Sequence, residues 1–132
     1  MATSQTRTVS VTIERGADEV YAFLAVPDNF PRWASGLCSA VTPDGDAWLA
    51  DTPNGPMRVR FSPPNPYGVL DHRVYPSADV EIYVPLRVIA NGDGAEVVFT
   101  LFRLDGMSDA QFDEDARWVA RDLATLKALL EA

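Results

Sequence analysis

Apolar and polar residues alternate along most of this chain, in short segments separated by turn sequences. In the first segment Val9, Val11 and Ile13 alternate with threonine and serine, which is the period of a strand with one buried face. Runs of Pro, Gly, Asn and Asp separate the later segments and favour turns. The pattern predicts strands over residues 8–14, 36–42, 46–51, 56–62, 68–75, 79–89 and 95–104.

Helical spacing replaces this alternation in three places. Residues 17–24 carry apolar side chains at helical spacing, and residues 28–33 predict a second short helical turn after Pro27. Residues 108–130 predict the longest helix, because an apolar stripe runs along it and Ser108 with Gln111 forms a capping box. The predicted order is a strand, two short helices, six strands and a long C-terminal helix.

Composition limits the number of domains and the kind of partner. The chain has 132 residues, 47% of them apolar, and a formal charge of −8, so we expect one domain, residues 1–132, with a single core. The acidic balance argues against nucleic acid and against an anionic membrane as partners. Without a signal-like segment or a long apolar run, the sequence predicts a cytoplasmic protein. We expect a monomer or a homodimer.

The sequence offers little for metal or nucleophilic chemistry. Cys38 and His72 are the only residues of their types, which excludes an intrachain disulfide and a usual zinc site. The Asn-Gly-Asp-Gly run lacks the strand-to-helix context of a phosphate loop, and there is no Gly-x-Ser-x-Gly elbow. We therefore expect no metal and no cofactor.

Local sequences carry a family resemblance over nearly the whole chain. They are ADEVYAFL (17–24), PDNFPRW (27–33), GVLDH (68–72), VPLRV (84–88), NGDG (91–94) and FTLF (99–102). The first two are similar to the entry segment of the SRPBCC superfamily, also called START-like or birch-pollen-allergen-like. The others resemble a bacterial polyketide cyclase-like subgroup of that superfamily.

The resemblance implies the helix-grip fold of the α+β class. In this fold a curved antiparallel seven-stranded sheet, in the order β-α-α-β6-α, wraps around the long C-terminal helix. In many relatives a cavity between the sheet and that helix holds a lipid, a polyketide or another apolar ligand. The chain is short for the superfamily, so we expect a modest pocket.

Strand alternation assigns apolar side chains to the concave face of such a sheet. The apolar stripe of the last helix and an aromatic residue at the cavity mouth complete the predicted lining. The predicted ligand-binding residues are Trp33, Met57, Val59, Phe61, Leu70, His72, Ile82, Val84, Leu86, Phe99, Leu101, Arg103, Phe112, Val119 and Leu123.

His72 and Arg103 are the ionisable residues of this set and the candidate catalytic residues. A lone imidazole on an apolar face either orients a ligand carbonyl, acts as acid or base, or is a core histidine satisfied by a neighbour. A two-residue turn at 76–77 aligns His72 with Glu81, whereas a three-residue turn aligns it with Ile82. Arg103 points inward by strand parity or, near the strand end, extends out of the cavity.

Three functions follow from this interpretation. We expect binding of a small hydrophobic molecule, such as a lipid, a polyketide or an aromatic metabolite, between the sheet and the C-terminal helix. The alternative is a cyclase-, aromatase- or dehydratase-like enzyme with His72 as acid or base and Arg103 stabilising an oxyanion. A second alternative is a protein-interaction module that uses Tyr75 and Tyr83 on the outer sheet face.

Overall fold

The computed structural model describes residues 2–132, and its elements follow the predicted order of helices and strands. An antiparallel α+β architecture ends in one long helix. The elements are β1 (Thr6–Ile13), α1 (Ala17–Leu24), a 3₁₀ turn (Pro27–Asn29), α2 (Phe30–Trp33), β2 (Ala40–Asp44), β3 (Ala47–Thr52), β4 (Gly55–Phe61), β5 (His72–Ser77), β6 (Val80–Val84), β7 (Leu86–Asn91), β8 (Gly94–Phe102) and α3 (Asp109–Glu131).

The strands form two sheets that meet along one break. Their orders are β1-β8-β7 and β2-β3-β4-β5-β6. At the break, Val69 bridges to Arg87, and the N–H of Leu70 donates to the Leu86 carbonyl at 2.8 Å. The two sheets are therefore halves of one curved surface. Eight strands replace the seven expected, because the predicted strand 79–89 is divided into β6 and β7.

Pro85 explains the division. Proline has no N–H to donate to a ladder, so a strand that contains it is interrupted there. The carboxylate of Asp71 occupies the gap and accepts the N–H of Leu86 at 3.0 Å, two bonds from the Arg87 guanidinium at 2.9 and 2.8 Å, and the Tyr83 hydroxyl at 2.8 Å. The hydrogen bonds from Arg87 are the main reason that the pKa of Asp71 falls to about 2.

The β5–β6 hairpin places His72 on the inner face. His72 pairs with Val84, which is neither of the partners expected from a turn at 76–77, Glu81 or Ile82. The turn lies two residues later, and an irregularity late in β5 shifts the register. Since side chains alternate along a strand, the pairing with Val84 still directs His72 to the apolar side.

The predicted start and apolar stripe of the last helix, α3, are confirmed. The hydroxyl of Ser108 accepts the N–H of Gln111 at 3.1 Å, which is one of the two bonds of a capping box. The Gln111 side chain donates to Asp115 at 2.7 Å. Phe112, Leu123 and Leu126 are almost fully buried. The helix packs against β1, β8 and α2, whereas α1 packs against β7 and β8, and α2 packs against β2.

Candidate functional site

A small interior cavity lies between the α1–α2 segment and the sheet. Its volume is about 20 Å³, roughly the space of one water molecule. No side chain of α3 lines it, so its place differs from the expected one between the sheet and the C-terminal helix. The lining residues are Leu24, Ala25, Phe30, Trp33, Phe61, Ser62, Leu70, His72 and Leu86.

Four of the nine residues that line the cavity are aromatic: Phe30, Trp33, Phe61 and His72. The ring of Phe30 lies 5.5 Å from that of Trp33, 5.5 Å from that of Phe61 and 5.6 Å from that of His72, each in an edge-on arrangement. Such pairs contribute about 0.5–1.5 kcal/mol beyond the area they bury. Phe30, in the short helix α2, is therefore the centre of this cluster.

His72 is the titratable side chain at the cavity. It is 2% exposed, and its Nδ1 lies 3.2 Å from the carbonyl oxygen of Leu70. Burial is the main reason that its pKa falls from 6.5 to about 4, because a charged imidazolium is costly in an apolar interior. At neutral pH the ring is therefore uncharged.

The loop between β4 and β5 closes one side of the cavity and is held by its own hydrogen bonds. The side chain of Asn65 accepts the N–H groups of Tyr67 and Val69 and donates to the Val69 carbonyl at 2.8 Å. The hydroxyl of Tyr21 in α1 accepts the N–H of Asn65 at 2.9 Å. These contacts fix the proline-rich loop against α1 and hold Leu70 at the cavity.

The predicted site residues fall into three groups. One group lines the cavity and comprises Trp33, Phe61, Leu70, His72 and Leu86. A second group belongs to the packed interior: Val59, Val84, Phe99, Val119 and Leu123 are buried in the main core, Ile82 and Leu101 pack against it, and Met57 is partly buried. The third group, Phe112 and Arg103, lies elsewhere.

Arg103 lies in a surface groove of about 310 Å³ at the start of α3. Its guanidinium donates to the carbonyl of Met107 at 3.1 and 2.8 Å and to Asp109 at 2.6 Å, and it lies 5.8 Å from the ring of Phe112. Arg7 lies on the same ring and pairs with Asp113. His72 and Arg103 thus line different pockets.

Sequence reasoning missed four residues of the cavity wall, Leu24, Ala25, Phe30 and Ser62, and one buried acid outside it, Asp122. Phe30 lies three residues before Trp33 in the segment PDNFPRW. This closeness to a predicted lining residue was the signal that could have identified it. Asp122 on α3 was also missed, although it is three residues from Val119 and four from Leu126, and so shares their face. Asp122 is 3% exposed, and burial raises its pKa to about 6 despite a hydrogen bond from the Gly36 N–H.

Other reactive groups are few in the part of the chain that the structure describes. Burial raises the pKa of the Cys38 thiol to about 11, which leaves very little thiolate near neutral pH. Over residues 2–132, no cluster of three His, Cys, Asp or Glu side chains is arranged to hold a metal ion. Within the same residues, no helix has both the length and the apolarity to cross a membrane.

The sheet order, the covering short helices and the long last helix define a helix-grip protein of the α+β class. Solved structures share this fold. An uncharacterized protein from Bacillus thuringiensis superposes with a TM-score of 0.76 and 14% identity over 95% of this chain and 98% of that one. Ara h 8.0201 does so with a TM-score of 0.64 and 8% identity over 96% and 97%.

A third similar structure is DynU16, a protein of the dynemicin biosynthetic locus. It superposes with a TM-score of 0.73 and 17% identity over 96% of this chain, which spans 47% of DynU16. At such identities the likeness concerns the fold alone. No protein-family model and no curated protein sequence matches the chain.

Proposed function

We propose that this protein binds a small hydrophobic molecule in the cavity between the α1–α2 segment and the sheet. The observation that carries the proposal is a buried, uncharged histidine that shares the wall of an interior void with three aromatic rings. A lining of apolar and aromatic side chains with a few polar groups, here Ser62 and His72, is typical of small-molecule sites. Membership of the SRPBCC superfamily and its polyketide cyclase-like subgroup is part of this proposal and rests on the sequence resemblance, whereas the likeness to DynU16 supports the fold alone.

Ligand entry requires the cover of the cavity to move, because the void of about 20 Å³ is far smaller than the roughly 150 Å³ that accepts benzene in an engineered core. The cover consists of α1, a three-residue 3₁₀ turn and the four-residue α2, and none of these has a side-chain N-cap. Uncapped helix starts leave backbone N–H groups unsatisfied and weaken short helices. A ligand would stabilise an expanded arrangement that the empty protein populates less.

The test is a titration of the native protein with toluene and with indole, followed by ¹H–¹⁵N correlation spectra. The three tryptophan side chains provide the reporter and its controls: Trp33 lines the cavity, whereas Trp48 and Trp118 do not. We expect the indole N–H signal of Trp33 to shift to saturation while the other two stay in place. Unchanged spectra at the solubility limit of both compounds would refute the proposal.

The nearly filled interior favours one second candidate, a protein-interaction module that uses the outer sheet face. There Arg58 lies 5.9 Å from the ring of Tyr75, and Arg73 lies 4.7 Å from the ring of Tyr83. Purification from the host with and without Tyr75→Glu tests it. A defined partner that is lost with this variant, together with no ligand in the titration, would favour the interaction module.

Catalysis by His72 and Arg103 together has less support. A base with a pKa of about 4 is a weak proton acceptor at neutral pH, and Arg103 lines the groove beside α3 instead of the cavity. The geometry therefore supports binding better than proton transfer.

A further inference from the structure

The cavity offers hydrogen-bond acceptors to an occupant. Its two polar side chains are Ser62 and His72. The hydroxyl of Ser62 donates its only proton to the carbonyl oxygen of Asp71, so it has lone pairs left but no proton. Ligand selection then depends on which of the two ring nitrogens of His72 carries the hydrogen.

The contact between His72 and Leu70 fixes the tautomer. Nδ1 lies 3.2 Å from the Leu70 carbonyl oxygen, and a carbonyl can only accept, so Nδ1 carries the proton of the uncharged ring. Nε2 is then an acceptor. Desolvation of the buried ring disfavours the doubly protonated form.

Nε2 is the ring acceptor that remains for an occupant of the cavity. Among residues 2–132, the hydrogen bond of the His72 ring joins Nδ1 to the Leu70 carbonyl, and that bond leaves the lone pair of Nε2 unused. The ring lines the cavity beside Ser62, so a molecule bound there meets the imidazole as an acceptor.

We propose that the cavity selects small ring compounds that carry a hydroxyl or N–H group and discriminates against those whose polar group is only an acceptor. This inference rests on the proposed binding function and specifies its ligand class. A phenol can donate a hydrogen bond to Nε2, whereas toluene leaves Nε2 unpaired. The aldehyde oxygen of benzaldehyde is itself an acceptor, so it cannot pair with Nε2. A neutral hydrogen bond of this kind corresponds to about a tenfold difference in Kd.

The experiment measures Kd for phenol, toluene and benzaldehyde with the native protein, using the Trp33 indole signal. We expect phenol to bind about tenfold more tightly than toluene, and benzaldehyde to bind most weakly. The ¹⁵N resonance of His72 Nε2, read in long-range correlation spectra, should show an unprotonated nitrogen before phenol is added and a hydrogen-bonded one afterwards. This readout needs no variant and does not depend on refolding.

The outcomes separate the inference from the function on which it rests. Equal Kd values for phenol and toluene, or a protonated Nε2 in the free protein, would overturn the donor requirement and leave apolar binding intact. Binding of none of the three compounds would overturn both. His72→Leu should bring the affinities of phenol and toluene together if it folds, with Tyr75→Phe as the matched control that keeps the difference.

Discussion

The cavity at His72 and the groove at Arg103 each contain a buried phenylalanine and an ionisable side chain, but they treat charge in opposite ways. At the cavity, Phe30 meets an imidazole whose pKa is lowered to about 4. At the groove, Phe112 lies beneath two guanidinium groups, each paired with a carboxylate. The imidazole of His72 can stay in the interior because it can lose its charge. The guanidinium groups of Arg7 and Arg103 are always charged, so they extend to the surface.

The largest expected effect comes from removing the phenylalanine of each region. Phe30→Ala and Phe112→Ala should each lower the free energy of unfolding by about 3–5 kcal/mol, because both delete a buried ring. We expect phenol to restore part of the stability of Phe30→Ala, since the deletion enlarges the cavity, and to leave Phe112→Ala unchanged. Urea unfolding with and without phenol measures this. Equal rescue of both variants would remove the distinction between the regions.

Acidification should lower the stability of the protein through the buried, neutral imidazole of His72. Because the pKa of His72 is lower in the folded protein, about 4, than its usual 6.5, its contribution to stability is present above pH 6.5. The free energy of unfolding therefore falls by about 3 kcal/mol between pH 6.5 and pH 4, and the contribution is lost as the pH falls through 4. Urea unfolding of the native protein and of His72→Leu across this range provides the measurement. A variant with the same pH profile as the native protein would contradict a buried neutral ring.

The sequence predicted the outline of the fold better than its site, and particular residues show why. Local periodicity indicated α1, and periodicity together with the Ser108 cap indicated α3, because those signals lie within a few residues of each other. The division at Pro85 had a local signal in the proline itself, whereas the pairing of His72 with Val84 depends on the irregularity between Val74 and Ser77, which alternation does not reveal. Strand parity also could not decide whether Arg103 stays inside, because that depends on the position of the Met107 carbonyl.

Asp122 extends the comparison to an acid. Its pKa is raised from 3.8 to about 6, so its contribution to stability is present below pH 3.8 and lost as the pH rises through 6. Asp122→Asn should therefore stabilise the protein at pH 8 by about 3 kcal/mol, and the gain should vanish near pH 4.

The matched control for Asp122→Asn is Glu114→Gln, an exposed carboxylate on the same helix. It should change the stability by less than about 0.5 kcal/mol at either pH. If both variants behaved alike, net charge would explain the result, and burial of Asp122 would not.

The smallest effect is expected from Arg103→Gln. The variant loses the pair with the exposed Asp109, a kind of contact worth about 0–1 kcal/mol, and the two hydrogen bonds to the Met107 carbonyl. We expect a loss of about 1 kcal/mol in unfolding free energy and an unchanged Kd for phenol, because Arg103 does not line the cavity. A change of tenfold or more in that Kd, with stability intact, would mean that the two regions act as one site.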